Sequence, residues 1–173
     1  IRMFAITAGY HRYFSHRAFR LKRLSQFVIA FLAQTSAQKG VLWWAAHHRV
    51  HHRYSDTDED IHSPVSKSLW WSHIGWLLDG ESSGYDSRIM QDFEKFRELR
   101  LLDKYHRIPA ILFGFGVFAA GGYPVFLWGF VVSTVLLWHC TFSINSLAHF
   151  WGSRPFETGD QSRNNLFLAL TTL

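Results

Sequence analysis

The sequence predicts an all-α membrane protein, built on a transmembrane helical hairpin with interfacial helices and a cytoplasmic cap rich in histidine. Three observations predict this fold class. No charged residue occurs from Ile108 to Leu147. Histidines are clustered beside the apolar segments, as in His48-Arg-Val-His51-His52. Hydrophobic residues make up 48% of the chain and aromatic residues 17%, yet the mean hydropathy is only -0.04, so polar segments must alternate with apolar ones.

The uncharged stretch is about forty residues long. At about 1.5 Å per residue it is too long for one span of about 30 Å and long enough for two. Gly121-Gly122-Tyr123-Pro124 near its middle is a turn signal, so we predict transmembrane helices over 108–121 and 124–147. A buried hairpin in a large soluble protein is the alternative. Basic residues flank both ends, which places both ends on the cytoplasmic side by the positive-inside rule; these are Arg97, Arg100, Lys104, Arg107, Arg154 and Arg163.

A second apolar stretch, 24–46, contains glutamines and Lys39. If His16 before it and His48 after it bind the same site, both of its ends lie on one side of the bilayer, which a single crossing forbids. We therefore predict an interfacial helix over 24–46. The charged, amphipathic segment 86–104 is predicted as a surface helix leading into the hairpin.

The histidine spacing predicts a metal site. His48, His51 and His52 fall within roughly 60° of one another on a helix, whereas His47 faces elsewhere. His11 and His16 are about 140° out of phase, so they share an ion only if the helix ends between them or their rings reach around it, as at a helix terminus. Asn145 and His149, four residues apart, offer an amide oxygen and an imidazole on one face.

The types of ligand residue limit which metal the site could bind. With Cys140 as its one cysteine, the chain cannot form a thiolate zinc site, an iron–sulfur site or an internal disulfide. Imidazole ligands suit iron, with copper and zinc as competitors. Zinc takes at most four ligands in such sites, so the number of imidazoles indicates two metal ions. The acidic loop 53–63, which follows the second cluster, is either a solvated turn or a group that orients ligand imidazoles.

Four strings in this order resemble the membrane fatty acid desaturases of the stearoyl-CoA (Δ9 acyl-CoA) type. They are Thr7-Ala-Gly-Tyr-His-Arg-Tyr-Phe-Ser-His16, His48-Arg-Val-His-His-Arg-Tyr-Ser55 with Asp60-Ile-His62, Ser72-His-Ile-Gly-Trp-Leu-Leu78, and Asn145-Ser-Leu-Ala-His-Phe-Trp-Gly-Ser-Arg-Pro-Phe156. The resemblance implies one desaturase domain over 1–173, truncated at both ends, with a four-span fold when complete. Residues 1–9 would then end a transmembrane helix, and a third histidine box would follow Leu173.

The same resemblance implies the site residues. Two iron ions would be held by His11, His16, His48, His51, His52 and His149, with Asn145 acting through a water molecule. His62 matches a box residue that is not a ligand, and no catalytic residue is expected beyond the metal ligands. The acyl tunnel would be lined by Gln38, Trp44, Thr141 and Phe142, the last standing where the family usually has Trp.

The implied activity is the iron- and O2-dependent insertion of a cis double bond, expected at Δ9, into a saturated acyl chain, with electrons from a cytochrome b5 or ferredoxin type donor. A related di-iron hydroxylase and a non-enzymatic membrane metal-binding protein are the alternatives. Ala46-His47, Lys39 and Asp79-Gly80 depart from the family where a headgroup would bind. Fewer cationic contacts leave the carrier open between CoA, acyl carrier protein and acyl lipid. The expected location is a bacterial inner membrane with the active site on the cytoplasmic face, and no feature indicates a nucleic-acid partner.

Overall fold

A computed structural model of the chain describes residues 1–78 and 84–172, and these residues form helices joined by turns. Within those two ranges the only β pairing is an isolated antiparallel bridge between Ser153 and Asn164. The all-α prediction is therefore confirmed. Asp79 and Gly80, which the sequence analysis singled out, lie outside the described residues.

The helices follow one another with short connections. In chain order they are α1 (Arg2–Phe4), continuing as a π-helix (Ala5–Ser15), α2 (Arg23–Gln34), α3 (Val41–Tyr54), a π-helix (Trp71–Gly75), α4 (Trp76–Leu78), a 3-10 helix (Ser87–Met90), α5 (Gln91–Glu94), α6 (Arg97–Lys104), α7 (Arg107–Phe126), a π-helix (Leu127–Val132), α8 (Ser133–Asn145), a 3-10 helix (Leu147–His149) and α9 (Leu166–Thr172). The chain divides into two compact units. The first comprises Ile1–His48 and Asp86–Trp138, and the second comprises Arg49–Tyr85 and His139–Leu173.

In the first unit, the N-terminal helix continues past residue 9 to Ser15. Its core face buries Ile6, Tyr10 and Phe14. Gly9 allows a close approach of α2, since a Cβ at this position would lie 2.9 Å from Cγ1 of Ile29. The helix ends where Arg17 adopts a φ of 54°.

The predicted helix over 24–46 is divided into α2 and α3. Between them Ala37 and Lys39 adopt φ values of 58° and 66°, which a right-handed helix cannot accommodate. Two side chains hold the turn: the Tyr10 hydroxyl donates to the carbonyl of Lys39 at 3.1 Å, and the Trp138 indole donates to the carbonyl of Ser36 at 2.7 Å. Both are tertiary contacts, so the hydrophobic periodicity of 24–46 could not predict the break between the two helices. The direction of α3 is therefore set independently of α2.

The uncharged stretch reverses direction at two glycines. Gly121 (φ -161°, ψ 21°) and Gly122 (φ 66°, ψ -159°) interrupt α7. Beyond the break the two arms contact each other, with the ring centroids of Phe113 and Phe130 5.9 Å apart. Within the described residues, Arg107–His149 is the one helical segment long and apolar enough to cross a membrane by length and composition, and only 11% of its apolar window is buried. The placement of the two arms across a bilayer stays a prediction.

The charged segment before the hairpin forms three short helices instead of one continuous surface helix. Met90, Phe93 and Leu99 are their buried residues. Two ion pairs attach them to the rest of the first unit: Arg17–Asp92 at 2.9 Å and Arg23–Glu98 at 2.7 Å.

In the second unit, the acidic loop folds beside the C-terminal segment. The Trp71 indole donates to the carbonyl of Ile61 at 2.9 Å. The backbone N–H of Arg163 donates to the carbonyl of Ala148 at 2.7 Å, next to the Ser153–Asn164 bridge. These contacts place the loop and the end of α8 in one compact body.

Candidate metal centre

Three histidines of the first unit converge on one point. The Nε2 atom of His16 lies 3.0 Å from Nε2 of His11 and 3.3 Å from Nε2 of His48. The three rings are mutually edge-on, with interplanar angles of 85° to 88°. The structure thus brings the first histidine pair and the first residue of the second cluster together.

The π-helix explains how His11 and His16 meet. On an α-helix these two residues point about 140° apart. Here the backbone N–H of His16 donates to the carbonyl of His11 at 3.1 Å, which is the i to i+5 bond of a π-helix. The wider turn places residues five apart nearly above one another. As predicted for a shared ion, the pair lies at a helix terminus, because the π-helix ends at Ser15 and His16 is its C-cap residue. The wider π turn itself was not predicted.

The geometry of the three nitrogens fits a metal ion. Neutral imidazole ligands bind metals at about 2.1 Å. Nitrogens separated by 3.0 and 3.3 Å would then subtend angles of roughly 90° and 105° at the ion. The ring of His48 is also stacked on Trp44, with centroids 4.9 Å apart and planes 20° apart, so its orientation is held by packing.

In the second unit, carboxylates orient two further imidazoles. Nδ1 of His51 lies 2.9 Å from Oδ2 of Asp60, and Nδ1 of His149 lies 3.0 Å from Oδ2 of Asp56. A carboxylate accepts the Nδ1–H proton, which leaves the Nε2 lone pair of each ring available for a metal. The acidic loop therefore orients imidazoles, and the alternative of a merely solvated turn is not what the structure shows.

Asp60 is fully buried and heavily hydrogen-bonded. Its carboxylate accepts from the backbone N–H groups of Asp56 and His62, each at 3.2 Å. Burial by itself would raise the pKa of Asp60. The hydrogen bond from His51, the charges of His62 and His51 and the Asp56 amide outweigh burial and hold the pKa below its usual value. Asp60 is thus an anion able to fix the tautomer of His51.

Asp56 joins three parts of the second unit. Besides His149, its Oδ2 accepts from the backbone N–H of Gln161 at 2.7 Å, and its Oδ1 accepts from the Ser63 hydroxyl at 3.0 Å. Its φ of 63° lies in the left-handed region, which Asp and Asn tolerate better than most residues. His149 itself is only 4% exposed, so Asp56 supplies a buried imidazole with its partner.

The remaining predicted ligands lie close by in the same unit. The rings of His51 and His149 are 6.2 Å apart, and those of His51 and His52 are 5.4 Å apart. Asn145 ends α8 and is half-buried, and its role through a water molecule stays a prediction. His62 is buried against Trp76. The ligand atoms of His51, Asp60 and His62 lie within 4.8 Å of one another, but the hydrogen bonds around Asp60 account for that proximity.

The predicted tunnel residues are divided between the units. In the first, Gln38 is buried and Trp44 lies between Tyr10 and His48. In the second, Thr141 is half-buried and Phe142 is buried against His73. Their role in binding an acyl chain stays a prediction.

Sequence reasoning missed a polar network beside Phe142. The Ser146 hydroxyl donates to the carbonyl of Phe142 at 3.0 Å, so its oxygen accepts from Nδ1 of His73 at 2.9 Å. Nε2 of His73 is then the acceptor for Nδ1 of His139 at 3.0 Å. Burial and the neighbouring His139 lower the pKa of His73, in keeping with this neutral tautomer. The Ser72-His73 string was noted, but nothing in the spacing pairs His73 with α8.

Known proteins resemble this chain over nearly its whole length. The family model for fatty acid desaturases matches residues 1–173. The chain is 37% identical to icosanoyl-CoA 5-desaturase of Limnanthes douglasii over 95% of this chain and 47% of that protein. It is 34% identical to acyl-CoA C20 Delta5-desaturase of Anemone leveillei (98% and 55%) and to sn-1 stearoyl-lipid 9-desaturase of Anabaena variabilis (95% and 61%). The chain thus spans about half the length of these relatives.

Proposed function

Because this chain belongs to the fatty acid desaturase family, we propose that the protein containing it is an iron- and O2-dependent acyl desaturase, which introduces a cis double bond into a saturated acyl chain. The observation that carries the proposal is the convergence of the Nε2 atoms of His11, His16 and His48. An all-nitrogen set of this kind suits iron better than a structural zinc ion.

Two sets of imidazoles support two iron ions. The first unit would hold one through His11, His16 and His48. The second unit would hold another through His51 and His149, with Asn145 acting through a water molecule, and His52 is proposed as a further iron ligand. Ligands from the family's third histidine box would complete the pair. Iron bound with open positions supplies the O2-derived oxidizing power that removal of hydrogen from an unactivated methylene requires.

The chain's own residues position and protect this chemistry. Asp56 and Asp60 hold their histidines in one tautomer with Nε2 available, and Trp44 holds the plane of the His48 ring. We propose that Gln38, Trp44, Thr141 and Phe142 line the path of the acyl chain. Buried aromatic surface around that path would exclude water from the reacting carbons.

We also propose finer assignments, although the named relatives include 5-desaturases as well as a 9-desaturase. The relatives include both acyl-CoA and acyl-lipid enzymes, and we propose Δ9 insertion into either kind of substrate. A cytochrome b5 or ferredoxin type protein would supply the electrons. The apolar hairpin and its basic flanks favour an integral membrane protein with the histidines on the cytoplasmic side of a bacterial inner membrane.

The test is expression of the full-length enzyme in a host that lacks its own desaturase. Total fatty acids are measured by mass spectrometry with localization of the double bond. We expect a new monounsaturated acid with its double bond at carbon 9, and its loss in His51→Ala. His106→Ala, which changes a histidine outside both sets, is the matched control and should retain the product.

Three results would contradict the proposal in different ways. A hydroxy acid as the main product would indicate a related di-iron hydroxylase. A double bond at another carbon would refute only the Δ9 assignment. Full stability with zinc, and no consumption of O2 with iron, acyl substrate and reductant, would indicate a non-enzymatic metal-binding protein.

A further inference from the structure

We propose that Asp103 is a positioning residue for the metal site, because its carboxylate caps the N-terminus of α3 and, with Gly40, sets where that helix and its histidines lie. The inference rests on the proposed function, since it concerns the same iron site. It concerns a residue of α6, which lies about sixty positions away from the helix that it holds.

The contact itself is specific. Oδ1 of Asp103 accepts from the backbone N–H of Leu42 at 2.7 Å and from that of Trp43 at 3.0 Å. These two N–H groups belong to the first turn of α3. No carbonyl of the same helix can accept their hydrogen bonds. The acceptor in such a cap is usually the side chain of the residue just before the helix. Here that residue is Gly40, which has no side chain, and a carboxylate from another helix takes its place.

Gly40 provides a second, independent observation. A Cβ at this position would lie 2.1 Å from Oδ1 of Asp103 and 2.5 Å from its Cγ. Any other residue would therefore displace the carboxylate from the helix end. The need for glycine here comes from this close approach, so the absent side chain and the remote cap form one arrangement.

At the position of Asp103, accepting hydrogen bonds matters more than carrying a negative charge. A negative group at a helix N-terminus is favourable. Burial is the largest effect on Asp103 and raises its pKa, and the negative charge of Glu94 raises it further. The hydrogen bonds from the Trp43 and Leu42 amides and the charge of His106 lower the pKa, but the net shift is upward. Burial thus works against the charge, and the two hydrogen bonds to Oδ1 are the stabilising part of the contact. An asparagine, which keeps one acceptor oxygen without the charge, should replace Asp103.

The cap affects the metal site because α3, the helix that Asp103 caps, carries His48. His48 is about one and a half turns beyond the capped residues on α3, and its Nε2 atom lies 3.3 Å from Nε2 of His16. A helix whose first turn is unfastened can shift along its axis or rotate, and a displacement of a few tenths of an ångström changes nitrogen positions that a metal ion requires. Asp103 therefore acts on iron through the position of α3 and touches no ligand.

The experiment measures iron in the full-length, purified enzyme. Iron per protein is determined by mass spectrometry after dialysis against a fixed excess of chelator, and the visible spectrum of the Co(II)-substituted enzyme reports the ligand geometry. The variants are Asp103→Leu, which removes the acceptor, and Asp103→Asn, which keeps it. Asp86→Leu is the matched control, because Asp86 also caps a helix (it accepts from the backbone N–H of Arg88 at 2.9 Å) but that helix carries no histidine.

We expect Asp103→Leu to lose iron about 3- to 30-fold more readily, the range that a lost cap covers, with an altered Co(II) spectrum. Asp103→Asn should restore both to wild-type values, and Asp86→Leu should leave both unchanged. Iron retention in Asp103→Leu equal to wild type would overturn the inference, as would equal losses in the Asn and Leu variants. A wild-type enzyme that binds no iron would instead refute the proposed function.

A double-mutant cycle tests the arrangement directly. Gly40→Ala should lower iron retention by displacing the carboxylate. In the Asp103→Ala background the two nearest atoms, Oδ1 and Cγ of residue 103, are absent, and Cα of that residue lies at 3.0 Å, so the effect should be smaller. Additive effects of the two substitutions would show that residues 40 and 103 act separately and would overturn the proposed arrangement.

Discussion

Replacing Asp56 should weaken metal binding in the second unit. Alanine removes the acceptor for three donors: Nδ1–H of His149, the backbone N–H of Gln161 and the Ser63 hydroxyl. A buried donor without a partner costs about 1–3 kcal/mol, and His149 is buried. Alanine at a φ of 63° costs about 1–2 kcal/mol more. We expect Asp56→Ala to lower the free energy of unfolding by about 2–5 kcal/mol.

An asparagine at position 56 removes the negative charge but keeps the hydrogen-bonding geometry, so it tests the two effects separately. It tolerates the left-handed φ, its oxygen can accept from His149 and Gln161, and its NH2 group can face the Ser63 hydroxyl. We expect Asp56→Asn to lose at most about 1 kcal/mol of stability. Iron affinity should nevertheless fall at least about tenfold, as is typical when a carboxylate partner of a ligand histidine is changed.

The assay pairs thermal unfolding with iron content after chelator competition, both on the full-length enzyme. Asp58→Asn is the control, because Asp58 is an exposed residue of the same loop and should leave both quantities unchanged. If Asp56→Asn bound iron as tightly as wild type, the carboxylate would not be tuning His149, and this reasoning would be refuted.

The other predictions concern the hairpin, an ion pair and the metal. Gly122→Ala should destabilise the fold by about 1–3 kcal/mol in thermal unfolding, because φ 66° with ψ -159° is open almost only to glycine, whereas Gly116→Ala, with open space around it, should not. Hydrogen bonds from Arg23 lower the pKa of Glu98 to about 2, so this pair stabilises above the ordinary pKa of about 4.3 and the effect is lost as pH falls toward 2. Arg23→Gln should therefore lower the unfolding midpoint slightly at pH 7 and not at pH 2. Removal of iron by a chelator should lower the thermal midpoint, since saturation at a hundredfold excess over Kd is worth about 2.7 kcal/mol.

Most of the candidate ligands could be found from sequence because their spacing is local. The three and four spacing of His48, His51 and His52 requires only that the segment be helical, and α3 is. The absence of charge from Ile108 to Leu147 and the glycine pair at its middle likewise predicted where the hairpin turns.

Other features depended on contacts that no local pattern encodes. The amino-acid composition of the segment does not distinguish a π-helix from an α-helix. The spacing of five between His11 and His16 therefore did not show whether the two rings meet. The division of 24–46 into two helices depends on Tyr10 and Trp138, which hold the turn from distant parts of the chain.

The sequence by itself determined the all-helical class, the family and the histidines, because helical period, charge distribution and ligand chemistry are properties of neighbouring residues. Only the tertiary structure decided which atom of each imidazole is available and how the helices that carry them are held. Asp56, Asp60 and Asp103 perform those tasks across 9 to 93 positions of the chain. At such separations an acidic residue looks the same in sequence whether it faces solvent or a buried N–H group, and only its packing distinguishes the two.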